Sequence, residues 1–402
     1  MPLKKVTPSS KSFLILVALF SALPPFAIDT YSPAIPAIAE YFNISPDTVV
    51  ITFATYFIGF SLGLFIWGPI SDKYGRKRVI SIGVVLYILS TIICSLSQEF
   101  WQLYSARFVQ GFSDASCASV AYAMVRDCYS SKKLTQTIAT IGMIVMVAPI
   151  VAPMIGAGII HYTGEWQVIF HFLTILGIIL LLSSLKLPET IKEYHSSALH
   201  SFKQYFTHLK DYRFLLFAIA SALSFTVFFT FVGSSAIVYV KVYGTSEFGF
   251  SLLFAINATA IIIANILIKK FSNIVSLSLI EILGCVSSLI LCTISLVLVS
   301  YYPHSIVLFA ILMWFITLAT FVSTNSLMSE AVNLLTHSYG AGISVVNILK
   351  FGSAGVISYE MSLFNYQSIN ISMLLTQTCL MLVTVIIVFI SIFLLKNKGL
   401  EQ

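Results

Sequence analysis

The sequence predicts an all-α membrane protein of twelve transmembrane helices, arranged in two pseudo-symmetric halves of six, with both termini in the cytoplasm. Three observations lead there. Of 402 residues, 58% are hydrophobic and 9% charged. Soluble domains carry roughly 25% charged residues, so these charges are too few to cover a water-facing surface. The apolar residues fall in long unbroken runs, without the period-two alternation of membrane strands. Lys and Arg crowd into alternate connectors. Together these exclude a cytosolic enzyme, a secreted domain and a disordered chain.

A bilayer core of about 30 Å takes about 20 apolar helical residues per crossing. The runs lie at 13–36, 48–70, 79–97, 101–125, 135–160 and 166–187, then at 214–240, 248–268, 276–300, 305–329, 338–363 and 370–395. Lys4, Lys5 and Lys11 precede the first run as in a secretory leader. Pro24, Pro25, Asp29 and Pro33 follow without a cleavage site, so the expectation is an uncleaved first span. One long polar connector, 189–213, carries Glu189, Lys192, His195, His200, His208 and Arg213. It divides the chain into an N-terminal half, 1–188, and a C-terminal half, 214–402.

With the N-terminus inside, nineteen of the 22 Lys and Arg residues fall on inner segments and only Lys241 on an outer one. This bias sets the orientation and places the protein in a plasma (inner) membrane as a multi-pass chain. It also accounts for the net charge of +6 through an anionic leaflet, so no nucleic-acid partner is expected. Trp101 and Trp166 sit at outer span ends and are expected in the interfacial belt.

Charged residues in hydrocarbon cost about 2.5–3.5 kcal/mol each on insertion scales, so those present are functional candidates. They are Asp29, Arg107, Asp114 and Lys350. Glu281 and Glu360 lie nearer span ends and are expected at the interface. Helix rise puts Asp29 about 24 Å and Arg107 about 21 Å from the inner side, so these two can pair. Asp114 returns to the face of Arg107 two turns on, and Gly111, Ala118 and Tyr122 extend that stripe as a cavity wall would. Burial penalises a charged carboxylate and a nearby cation favours it. Asp29 or Asp114, tuned by Arg107, is therefore the expected proton-exchanging site; a static buried pair is the alternative. Lys350 shares a face of span 11 with Asn347 and Ala354. It is expected either to meet an anionic substrate or to neutralise Asp29 or Asp114. Tyr31, Tyr56, Tyr122, Phe228 and Tyr239 can stack on flat organic molecules.

The connector between spans 2 and 3 reads Gly68-Pro-Ile-Ser-Asp72-Lys-Tyr-Gly75-Arg76-Lys-Arg. Span 4 adds Arg107-Phe-Val-Gln110-Gly111. Span 5 carries Gly142, Pro149, Pro153, Gly156 and Gly158. Span 1 contains Asp29-Thr-Tyr31-Ser-Pro33-Ala-Ile-Pro36. In this order on these spans, the four stretches resemble the major facilitator superfamily. The span 1 stretch, with Tyr243-Gly244 and Phe254-Ala-Ile-Asn257-Ala258, is similar to its bicyclomycin-resistance (Bcr/CflA-type) drug-efflux branch. Lys350 stands where that branch more often has a neutral polar residue.

The resemblance implies a proton-coupled antiporter that exports small organic molecules or drugs from a bacterial cytoplasm by alternating access, acting as a monomer. It implies a latch in which Gly68 and Gly75 shape the connector, Arg76 reaches Asp127, and Asp72 meets the start of span 11 near Ser338. It implies that the span 5 motif packs across the halves. Asp29, Tyr31, Arg107, Asp114, Tyr122, Asn257, Asn347 and Lys350 are the expected coupling and substrate residues. An exporter of an endogenous metabolite, such as a siderophore, is the second reading, and an importer a third.

No cofactor is expected, and an ion gradient supplies the energy, about 2.3 kcal/mol per charge per 100 mV. No Gly-Lys pair and hence no P-loop is present. The seven histidines form no HExxH motif, and the connector histidines are expected to be solvated. The six cysteines make no CxxC pair, so neither a metal site nor a disulfide is expected, and an enzyme is not the reading.

Overall fold

The computed structural model describes residue 7 and residues 10–191, 198–272, 274–335, 338–364 and 368–399. Lys4, Lys5, His195 and His337 lie outside the described residues, as does 192–197 of the central connector. Every regular element among the described residues is helical. Ser10 starts α1 (Lys11–Asp29) by accepting a hydrogen bond from the Phe13 N–H at 3.2 Å, which satisfies a donor that a helix start leaves unpaired. Pro33 and Pro36 then break the run into a 3₁₀ turn, Ser32–Ala34, and α2 (Ile35–Tyr41).

After the short α3 (Pro46–Val49) come α4 (Ile51–Tyr74), α5 (Arg76–Ser95) and α6 (Phe100–Cys128). Only Gly75 separates α4 from α5. Its φ of +96° is one that residues with a Cβ rarely adopt. The predicted fifth run is two helices, α7 (Ser131–Val145) and α8 (Ala148–Thr163). Pro149 therefore occupies the first turn of α8, where its missing N–H costs little, and only Pro153 lies inside the helix. α9 (Gln167–Ser184) completes this half.

The central connector contains a helix of its own, α10 (Ala198–Lys210). The second set of spans is α11 (Tyr212–Ala236), which runs on through a π-helical turn to Val242, α12 (Glu247–Phe271), α13 (Leu277–Tyr301), α14 (Ile306–Asn333), α15 (Tyr339–Met361) and α16 (Ile369–Gly399).

Among the described residues, eleven spans are long and apolar enough to cross a membrane. The twelfth, α6, has 29 residues, about 43 Å of helix. It falls short only in composition, because its middle carries Arg107, Gln110, Ser113 and Asp114. It packs on α1, α4 and α5, which hides those groups. Large apolar side chains such as Leu89, Ile175, Leu283 and Phe393 remain exposed on the outside, as a lipid-facing surface requires.

The helices form two compact units, Met1–Ile44 with Ile51–Lys203, and Ser45–Val50 with Gln204–Gln402. The same pairing recurs inside each. In the first, α6 packs on α1, α4 and α5, α5 on α9, and α1 on α7 and α8. In the second, α14 packs on α11, α12 and α13, α13 on α16, and α11 on α15.

Two expectations are corrected. Trp166 is buried against Tyr41, Phe42 and Phe170, because the chain folds the α2 end over it; Trp101 is exposed. His208 is buried beside Phe214 rather than solvated, because α10 lays it against the start of α11.

Candidate functional site

In the first unit α6 brings a polar core to the middle of the bundle. Arg107 has no exposure to solvent. Its guanidinium carbon lies 4.6 Å from the Tyr31 ring centre and 4.4 Å from that of Tyr56, so two aromatic faces hold the cation. Arg107 Nη1 donates to Gln110 Oε1 at 2.5 Å and to the Ala27 carbonyl at 3.3 Å. Gln110 Nε2 donates to Thr91 Oγ1 at 2.8 Å, and the Tyr31 and Thr52 hydroxyls are 2.9 Å apart. Tyr56 Oη donates to Asp114 Oδ2 at 2.5 Å. Arg107 and Asp114 thus share the ring of Tyr56, one at its face and one at its hydroxyl, and they interact electrostatically.

Four buried polar positions in this core have no protein partner: Arg107 Nε and Nη2, Asp114 Oδ1 and Tyr87 Oη. Buried polar groups are paired as a rule, so each of these exceptions calls for an explanation, a functional role among them. Gly111 makes the approach possible, since a Cβ there would run into the Tyr56 backbone carbonyl.

Asp29 is the last residue of α1 and 6% exposed. No ion pair or hydrogen bond joins it to Arg107, so the pairing that their depths allow is not made here. Equal depth brought the two helices level, but the guanidinium is spent on the two tyrosine faces, Gln110 and a carbonyl. The expected stripe along α6 is also corrected. Gly111 is a packing contact with α4 rather than a cavity wall, while Tyr122, two turns on from Asp114, is open to its surroundings.

In the span 5 motif a Cβ at Gly156 would meet the Thr30 carbonyl and Pro33 Cγ. Gly156 thus lets α8 close on the kink directly after Asp29. Pro153 is buried, Pro149 is half-buried, and an added Cβ at Gly142 would meet nothing.

At the α4–α5 junction Arg76 is buried. It pairs with Asp72 at 2.6 Å and Asp127 at 2.9 Å, and donates to Ser71 Oγ at 2.5 Å. Gly68 supplies the carbonyl that Ser71 Oγ bonds at 2.7 Å. Glu189 and Thr190, which the sequence did not single out, complete the cluster. The Glu189 carboxylate accepts from the Arg76 and Lys77 backbone N–H groups at 2.9 and 3.1 Å, capping α5, and Thr190 Oγ1 donates to Asp127 at 3.1 Å.

In the second unit Lys350 is buried on α15, with Nζ 3.2 Å from Met328 Sδ and 5.4 Å from the Phe225 ring centre. No carboxylate of that unit lies within ion-pair distance among the described residues. Asn347, one turn away, is half-buried. Asn257 Oδ1 accepts from Thr317 Oγ1 at 2.9 Å, joining α12 to α14. Phe228 packs on Phe229 and Phe321, and Tyr239 on Phe309.

Residues 15–359 match the Major Facilitator Superfamily. The MFS-type transporter YdgK of Bacillus subtilis is 29% identical over 396 residues, 96% of each chain. A bicyclomycin resistance protein homolog of Haemophilus influenzae is 31% identical over 263 residues, 64% of this chain and 66% of its own. Among solved structures, the xylose transporter XylE from E. coli superposes with a TM-score of 0.73 at 14% identity, over 94% of this chain and 96% of that one. At that identity the likeness speaks for the fold.

Proposed function

The chain belongs to the Major Facilitator Superfamily, and on that premise we propose that it is a proton-coupled antiporter that exports small organic molecules, drugs among them, across a bacterial inner membrane. It is a multi-span transporter of small molecules rather than an enzyme. The relative named for bicyclomycin resistance supports export. The positive-inside bias supports both termini in the cytoplasm, with 1–188 and 214–402 moving about the 189–213 connector, and the protein works as a monomer. The cluster of Arg76, Asp72 and Asp127 is the latch of one state.

One observation carries the proton coupling: Arg107 and Asp114, sealed together around Tyr56 in a core that packing alone does not require. The acid within reach of Arg107 is Asp114, so Asp114 is the exchanging group and Arg107 the cation that governs when its proton leaves. Asp29, unpaired beside the kink that Gly156 admits, is the second acid of the path. Proton uptake into Asp114 removes a charge from hydrocarbon, and its release restores the attraction to Arg107. That difference between two charge states is what an alternating carrier needs to favour one conformation over another.

The test is a drug panel scored by substrate-driven proton movement in proteoliposomes, comparing the native chain with Asp114→Asn and Asp29→Asn. Native protein moves protons against substrate, and Asp114→Asn binds substrate without moving them. Proton-driven export at native rate by both variants would refute the assignment.

Lys350 favours a second reading. A buried ammonium with a thioether and an aromatic ring for neighbours suits a carboxylate-bearing substrate, such as a siderophore. Lys350→Gln then loses acidic substrates and keeps neutral ones; an unchanged substrate profile removes Lys350 as a selectivity element.

A further inference from the structure

We infer that Glu281 is a second proton-binding site, built into the second unit at one end of a seam of hydroxyl groups and separate from the acids of the first. The sequence places Glu281 near the start of a span, where an interfacial, hydrated carboxylate is expected. Instead it is 0% exposed, and neither carboxylate oxygen has a hydrogen-bond partner. A buried carboxylate left ionised without a partner costs several kcal/mol. No helix cap, arginine or lysine answers it among the described residues.

Its surroundings form a path. Glu281, Cys285 and Ser288 lie on one face of α13 at helical spacing, all buried against α14. Across that contact Ser288 Oγ is 2.9 Å from Thr320 Oγ1, and Cys285 Sγ is 3.0 Å from Ser323 Oγ. Ser224 of α11 continues the line, with Oγ 3.0 Å from Ser323 Oγ and 3.0 Å from Thr324 Oγ1. The acid sits one turn before Cys285, opposite the end of α14 that carries Glu330. Groups that both donate and accept run from Cys285 to α11.

Among the described residues the charged neighbours supply no cation to Glu281. Glu330, half-buried on α14, is within electrostatic reach of Glu281. A second carboxylate there adds negative charge and does not neutralise Glu281. On α13 itself the only other titratable neighbour is Cys285. α16, the other helix packed on α13, has no charged residue between Ile369 and Leu394; the side chains of Lys396 and Lys398 lie outside the described set.

The test uses the full chain in lipid nanodiscs and dicyclohexylcarbodiimide, an apolar reagent that modifies protonated carboxyl groups, read by peptide mass spectrometry. Glu281 is modified at neutral pH, and its labelling declines as the medium is made alkaline. Glu330→Gln, which leaves Glu281 in place but removes the like charge, lowers labelling of Glu281 severalfold at fixed pH. Replacing choline by sodium or lithium at constant pH leaves labelling unchanged. Protection by either cation would overturn the proposal in favour of an alkali-metal site. Absent or pH-independent labelling would reduce Glu281 to a packing residue. None of these readings depends on transport, so they stand or fall apart from the role of Asp114.

Discussion

In the first half the central helix α6 carries an arginine, a glutamine and an aspartate at its buried middle. Its counterpart in the second half, α14, carries Thr317, Thr320, Ser323 and Thr324 there. The two helices have the same packing partners within their halves. The hydroxyls of α14 are satisfied pairwise by Asn257, Ser288, Cys285 and Ser224, at no cost in net charge. Around α6, by contrast, an arginine and an aspartate are kept in hydrocarbon with several atoms unanswered. Hydroxyls meet the demands of this position, so the charges of α6 serve something other than packing. The second half keeps a buried acid, Glu281, one turn before Cys285.

The comparison breaks most visibly at Arg107. Arg107→Ala leaves two tyrosine faces empty and Asp114 without its cation. It should cost about 3–5 kcal/mol in thermal unfolding, as loss of one partner of a buried ionic set does, and should abolish coupled transport. Arg107→Lys should recover part of the stability and little of the coupling, because a point charge cannot lie flat between two rings.

Next is Gly111→Ala, which drives a methyl into the Tyr56 carbonyl. A loss of about 1–3 kcal/mol is expected from such overpacking, together with impaired coupling, because the carbonyl belongs to the residue that holds Asp114. Gly284→Ala, whose Cβ would meet the Ser323 backbone at 2.9 Å, should cost a similar amount of stability and leave coupling through Asp114 intact. Equal losses of coupling in both would erase the distinction between the halves.

Ser224→Ala removes one link of the hydroxyl seam and should cost about 1 kcal/mol, the net worth of a buried hydrogen bond. The smallest effect belongs to Glu189→Gln at the cap of α5, about 0.3–1 kcal/mol, read by denaturant titration.

Much of the fold was legible because apolar run length and Lys/Arg placement are set by the bilayer. The run that became α6 was legible from the same pattern even though Arg107 and Asp114 dilute it. Those charges were conspicuous for the same reason, since hydrocarbon tolerates few. Their partners were not. With 19 tyrosines and 32 phenylalanines, nothing in the sequence sets Tyr56 apart as the ring shared by Arg107 and Asp114. Depth alone suggested Asp29 for Arg107, but helix rise fixes height and not which way a side chain turns. Glu281 was misplaced because distance from a run's end says nothing about burial between α13 and α14. Glu189 was hidden in a connector, where a carboxylate reads as solvated until α5 begins beside it.

The most direct test of the central claim is the number of protons released when substrate is added to purified protein in weakly buffered detergent. Native protein should release protons, Asp114→Asn should bind the same substrate and release fewer, and Ser224→Ala should match the native chain. Proton release from Asp114→Asn equal to that of the native chain would contradict the account.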